Sequence, residues 1–322
     1  MSRNRLHNSV WFAFAALLAC LLISQVIYAS ERDKMKVVYA SYHDFCMDVP
    51  IAIEKGYFDL LGLDFEPVDI ASAPTRISLL PREDIDGTFL PSSTALFVVE
   101  KGIDLVLICG IGNRSFDYAV LKDSPIKDIQ DFAGKKIANL AKPSNPWLAL
   151  EYDLAANGVK GHSVISTGDD ADRISMLLSG NVDVAMSSPL MEAKLGDQIR
   201  VVHSCSTSKY LWNSCGWFFK RDYIRKHPEA VKKFVQGLAM ARKIIHENPD
   251  EAIKIYSKYN KMDQSSFKKL FQIASFDNPP VIYVYGLQET HRMMQQFNLL
   301  KTKLDVTNHV NGQFAESLDV RY

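Results

Sequence analysis

The chain has no excess charge of either sign. Lysine plus arginine and aspartate plus glutamate number 37 each in 322 residues. No block of like charge stands out, so a nucleic-acid surface or a polybasic membrane arm has no support. Cysteine is scarce. Cys20, Cys46, Cys109, Cys205 and Cys215 are too few for a disulfide scaffold and lack the paired C-x-x-C spacing of metal knuckles, so neither metal nor cofactor is expected. The sequence also lacks H-E-x-x-H, G-x-S-x-G, a glycine-rich phosphate loop and a tight His/Cys/Asp cluster, which argues against catalysis. Beyond Glu31 no apolar run is long enough to span a bilayer, and no solenoid repeat is visible.

What the chain does have begins with its first thirty residues. Arg3 and Arg5 lead into an apolar run from Val10 to Tyr28, the order of an export signal. The reading favours a cut after Ala29. Two alternatives stay open: lipid on Cys20, in a Leu17-Leu18-Ala19-Cys20 box, and an uncleaved anchor. Each places the remainder in a periplasmic or extracytoplasmic space. An oxidising compartment would permit a Cys205–Cys215 bridge, with buried thiols as the alternative.

Past this segment, short β-branched runs alternate with amphipathic stretches, which defines an α/β class. Strands are expected at Lys36–Ala40, Asp64–Ile70, Gly87–Leu90, Asp104–Gly110, Tyr118–Lys122, Lys136–Leu140, His162–Ser166, Val182–Met186 and Ile199–Ser204. Helices are expected at Pro50–Leu61, Thr75–Leu80, Ser93–Lys101, Asn145–Ala156, Asp170–Leu178, Pro189–Leu195, from Pro228, from Pro249, and at Gln264–Ala274 and Leu287–Leu300. From Pro228 the apolar positions Val231, Phe234, Val235, Leu238, Ala241 and Ile245 recur at spacings of three and four.

Four phrases carry a resemblance: I-A-I-E-K-G-Y-F-D-L-L-G-L-D from Ile51, D-I-Q-D-F-A-G-K-K-I-A from Asp128, L-L-S-G-N-V-D-V-A from Leu177, and H-P-E-A-V-K-K-F with E-N-P-D-E-A from His227 and Glu247. In order and spacing they resemble the substrate-binding proteins of ABC transporters, in the group that takes sulfonates, taurine, nitrate and thiamine precursors. The resemblance runs from about residue 36 to residue 255, and the last 65 residues carry no such phrase. It implies a periplasmic-binding-protein fold of type II, with two α/β lobes of mainly parallel sheets joined by two crossover segments. The chain would divide into an export signal or anchor at 1–30, a first lobe at 31–115 plus 220–322, and a second lobe at 116–219. Closure on a solute would follow the hinge logic of ligand-favoured states.

In open α/β sheets ligands sit beyond the carboxyl ends of the strands, so the loops there supply the candidate residues. Tyr42, His43 and Phe45 follow the first strand, with Asp44 among them. Ser92 and Ser93 begin a helix whose free N–H groups can hold an anionic oxygen or be capped by the serines themselves. Asn113 and Arg114 lie at the exit from the first lobe, and Arg114 has the fork that pairs with sulfonate or carboxylate, or an interlobe salt bridge. In the second lobe Ser144, Asn145 and Trp147 form a strand-to-helix turn after Lys142, and the indole can stack on a planar solute or pack in the core. Ser187 and Ser188 occupy the corresponding turn before Pro189. Trp212, with Asn213, stands near the return crossover.

The expected function is capture of a small organic solute and its delivery to a membrane permease by a monomer. An enzyme on the same fold and a ligand-sensing module are the alternatives, since fold alone does not separate them. The aromatic residues outnumber Arg114 and Lys142, favouring an organic or heterocyclic solute, with an organosulfonate or carboxylate nearly as well matched.

Overall fold

The computed structural model describes residues 32–41, 46–70, 72–111, 116–168, 170–205, 215–260, 264–265, 268, 282 and 284–316. The expected export segment and most of the expected helix Gln264–Ala274 lie outside these residues. Ten strands are described: β1 Asp33–Tyr39, β2 Leu63–Asp69, β3 Gly87–Pro91, β4 Leu105–Ile111, β5 Asp117–Leu121, β6 Lys136–Leu140, β7 Ser163–Thr167, β8 Val184–Ser187, β9 Ile199–Ser204 and β10 Cys215–Lys220. They build two five-stranded sheets, ordered β2-β1-β3-β10-β4 and β7-β6-β8-β5-β9.

One arrangement is used twice. In each sheet a parallel trio, β2-β1-β3 or β7-β6-β8, is followed by an antiparallel strand. That strand, β10 or β5, is the first one after the chain changes sheet, and it lies antiparallel to both neighbours. The register shows why. Cys215 at the start of β10 sits opposite Pro91 and Ile111, the ends of β3 and β4, and Asp117 at the start of β5 sits opposite Ser187 and Ser204. A chain arriving from the other lobe enters at the face where the resident strands finish, so it must run away from that face. In each sheet four of the five strands share one direction, as expected of mainly parallel sheets, and the strand that enters from the other lobe is the one that runs against them. Cys215–Lys220, counted to residue 219 with the second lobe on sequence grounds, is a full strand of the first sheet.

Local chemistry explains the other departures. The helix expected over Pro50–Leu61 is split into Asp48–Glu54 and Tyr57–Leu60 by Gly56, whose φ of 66° is left-handed and cheap only without a Cβ. The break turns Phe58 inward. Its ring stacks on Phe234 at 5.7 Å and meets Phe65 at 4.4 Å, so Phe58 fills the core, with Tyr57 partly buried beside it. Helix Pro228–Glu247 buries Val231, Phe234, Val235, Leu238 and Ala241 completely, the stripe expected from its spacing. Trp217 of β10 wedges edge-on between Phe234 at 5.1 Å and Phe89 at 4.9 Å.

Within that core, Arg242 donates to Asp48 at 2.7 Å with side chains only 6% and 3% exposed. Burial pushes the Asp48 carboxyl above its ordinary range, and the Arg242 guanidinium opposes the shift. Nearby, burial pushes the Cys109 thiol up to about 12.

The C-terminal residues, which match no phrase, form a strap. Helix Val284–Gln296 packs on helix Ser92–Glu100 of the first lobe and on helix Asn145–Ala156 of the second. Its continuation is tied down where the Glu100 carboxylate accepts from Thr302 N at 2.8 Å, and Asn311 N donates to Leu107 O at 2.8 Å beside β4.

The close approach inside the first sheet gives a direct check. A Cβ at Gly216 would meet the Leu107 methyl and stand 2.9 Å from Cys109 O. Gly216→Ala should cost about 1–3 kcal/mol through overpacking, seen as a lower urea midpoint at unchanged slope; an unchanged midpoint would contradict this packing.

Candidate functional site

The carboxyl ends of both sheets carry the turns from which helices Ser92–Glu100, Asn145–Ala156 and Pro189–Leu195 start. The second-lobe helices cap themselves. Ser144 Oγ accepts from Trp147 N at 3.3 Å, and Ser188 Oγ accepts from Met191 N at 3.1 Å. A proline follows within two residues of each cap, where a missing N–H costs nothing. The turn before Asn145–Ala156 is fixed from below. Tyr118 OH and Asn139 Nδ2 both donate to Pro146 O, at 2.9 and 3.3 Å, and Asn139 Nδ2 also donates to Tyr118 OH at 3.1 Å. Tyr118 and Asn139 are fully buried, and burial holds the phenol well above its ordinary range.

Helix Ser92–Glu100 is different. Pro91 occupies its cap position and provides no side-chain acceptor. The acceptor comes from the other lobe: Ser93 N donates to Asn145 Oδ1 at 3.1 Å, while Ser93 Oγ donates to Pro143 O at 2.9 Å. Ser92, Ser93 and Asn145 are at most 1% exposed. Two helix N-termini thus abut, each the positive end of its dipole, with an amide oxygen and a peptide oxygen set between them. The sequence predicts capping by Ser92 or Ser93; the structure assigns the cap to Asn145.

Trp147 also works between lobes. Its ring meets Phe297, beyond the C-terminal helix, edge-on at 5.3 Å, and Lys142 Nζ stands 4.4 Å from its centroid. The indole is 3% exposed. Ser187, 5% exposed, donates to Glu192 Oε1 at 2.8 Å. Burial pushes the Glu192 carboxyl up, and the Ser187 hydroxyl partly offsets it.

Ser188 also donates to Asp170, which binds Arg173, and Arg173 Nη1 donates to Thr167 Oγ1 at 3.2 Å. The sequence reading missed this group. It also missed Arg76, whose Nη1 donates to Ile70 O at 2.5 Å. Each arginine is the fourth residue of the helix after an edge strand, Ala73–Leu79 after β2 and Asp170–Leu178 after β7. They are 2% and 3% exposed. The same offset in both lobes is the signal that could have found them. In the first lobe, Ser41 N donates to Asp69 Oδ1 at 3.0 Å and Tyr256 OH to Ser41 O at 2.9 Å, which fastens the start of the loop after β1.

Tyr42, His43, Phe45, Asn113, Arg114, Trp212 and Cys20 lie outside the described residues. The expected Cys205–Cys215 bridge is not formed; the four described cysteines are buried thiols. Cys205 follows β9 in the second sheet, whereas Cys215 opens β10 in the first.

Known proteins agree with this architecture. The fold is similar to the aliphatic sulphonate binding protein SsuA of Escherichia coli, with a TM-score of 0.75 at 17% identity over 87% of this chain and 92% of that one. It is also similar to the alkanesulfonate-binding protein SsuA of Xanthomonas axonopodis pv. citri bound to MOPS, with a TM-score of 0.73 at 16% identity over 88% and 99%. An ATP phosphoribosyltransferase of Thermodesulfovibrio yellowstonii is 22% identical over 249 residues, 74% of this chain and 68% of that protein. At these identities the structural likeness shows the periplasmic-binding-protein fold. The profile of the NMT1/THI5-like family matches residues 46–252, and the chain belongs to that family.

Proposed function

We propose that this protein captures a small organic solute with an anionic head, of the sulfonate, carboxylate or thiamine-precursor type, between its lobes and presents it to an ABC transporter permease outside the cytoplasm. Residues 31–115 with 215–322 would form one lobe and 116–214 the other, acting as a monomer. The observation that carries this reading is the meeting of helices Ser92–Glu100 and Asn145–Ala156, where Ser93 N–H is answered by Asn145 Oδ1. Two positive helix ends held apart by a neutral amide oxygen form a place that an anionic oxygen would occupy more favourably. The relatives named for sulfonates share the fold, which supports the solute class.

Catalysis is the competing reading, since one relative is named as a transferase. Two of the four described thiols do not favour it. Burial pushes Cys109 and Cys205 up, whereas a nucleophilic cysteine needs a lowered pKa.

Two measurements test the proposal. A panel of alkanesulfonates, carboxylates and pyrimidines should contain a solute that stabilises the protein by roughly 2.7 kcal/mol at a hundredfold excess over its Kd and is recovered unchanged; its conversion would overturn the transport reading. Asn145→Ala should cost about 1–3 kcal/mol by leaving the buried Ser93 N–H unanswered. Asn145→Asp, which supplies its own anion, should keep stability and weaken solute binding at least tenfold. Solute binding unchanged in Asn145→Asp would contradict the assigned position.

A further inference from the structure

No motif in the sequence suggests a metal centre, yet the fold of the second lobe gathers three ligand types. Asp153 projects from helix Asn145–Ala156, His203 lies on β9 and Cys205 follows that strand. One donor atom from each lies within 4.8 Å of the others. His203 Nε2 is 2.8 Å from Asp153 Oδ2, and the Cys205 thiol shares a hydrogen bond with the same carboxylate. Asp153 is 5% exposed and Cys205 1%, while the His203 side chain keeps 13%. The rings of Tyr118 and Phe132 each stand 6.3 Å from the imidazole, so the surroundings are largely apolar.

Charge balance gives the cluster its meaning. Among the described residues the ion-pair partner of Asp153 is His203, which carries charge only when protonated. A buried carboxylate calls for a full positive counter-charge or a metal ion. Oxygen, imidazole nitrogen and sulfur together select a borderline-soft divalent ion over calcium or magnesium. With metal–oxygen and metal–nitrogen bonds of about 2.0–2.2 Å and metal–sulfur of about 2.3 Å, tetrahedral donors stand roughly 3–4 Å apart. Small side-chain rotations would bring the three atoms to that separation.

We propose that Asp153, His203 and Cys205 bind a divalent transition-metal ion of the zinc class, with water from the open edge of His203 as fourth ligand. Binding exchanges the thiol proton and any imidazolium proton for the metal, which replaces both hydrogen bonds to the carboxylate. The position links the ion to the lobes. Cys205 N donates to Phe116 O at 3.1 Å, just before β5, and residues 206–214 lead from Cys205 to β10 of the first sheet. Asp153 rides the helix whose Asn145 caps the opposite lobe. A metal here would fasten the closing helix to the roots of both crossings.

The test is a cobalt(II) titration of the purified, untagged, chelator-treated chain. One equivalent should bind with a thiolate-to-cobalt charge-transfer band, and zinc should displace it one for one. The band should vanish in Cys205→Ser, survive in Cys109→Ser, and form with at least tenfold weaker affinity in His203→Gln. X-ray absorption of the zinc-loaded wild-type chain should show one sulfur and three nitrogen or oxygen neighbours, which decides the matter if the variants misfold. Absence of the charge-transfer band at one equivalent, its persistence in Cys205→Ser, or a zinc shell without sulfur would overturn the site.

Discussion

The structure depends on the hydrogen bond from Ser93 N to Asn145 Oδ1. A helix N-terminus presents unsatisfied N–H groups and partial positive charge, and here two such ends from different lobes are pressed together. The pairing is possible because β3 and β6 both finish at the interlobe face, β3 feeding its helix directly and β6 through the short turn 141–144. It is held because the turn before Asn145 is pinned by Tyr118 and Asn139 and because Trp147 leans on the C-terminal strap. In the proposed function, the neutral oxygen between the helices marks the place of the solute's anionic head group.

The same geometry accounts for the mixed sheets. A chain that crosses to the other lobe arrives at the strand ends and must run back from them, so β5 and β10 are antiparallel to their neighbours. Each of these strands is hydrogen-bonded to a neighbour on both sides. Helix Val284–Gln296 adds a third link, touching one helix of each lobe. Any opening of the lobes must therefore separate Trp147 from Phe297 as well as Ser93 from Asn145.

Much of the fold was legible in the sequence. Helices Asn145–Ala156, Asp170–Leu178 and Pro189–Leu195 stand at their expected bounds, the first and last because each starts at a serine cap and proline turn whose chemistry is local. Strand β10 was not read as a strand, since Gly216 interrupts its apolar run and its partners are distant in sequence. The site was less legible. Asn145 could be named as a polar residue at a helix start, but its role as the cap of a helix in the other lobe is tertiary. Trp147 could face a cleft or a strap, and only the position of Phe297 decides. Arg76 and Arg173 escaped because a lone arginine in a polar stretch carries no local signal; their shared offset emerges when the two sheets are superposed in order. Asp153 joins His203 and Cys205 for the same reason, since no spacing rule connects a helix residue to a strand fifty positions later.

The central claim is capture of an organic anion between the lobes. Native mass spectrometry of the chain, purified from its own host without added ligand, tests it most directly. The account predicts one equivalent of a small organic anion, released intact on unfolding and absent from Asn145→Asp. Nitrate or another inorganic anion in its place, or the same solute retained by Asn145→Asp, would contradict it.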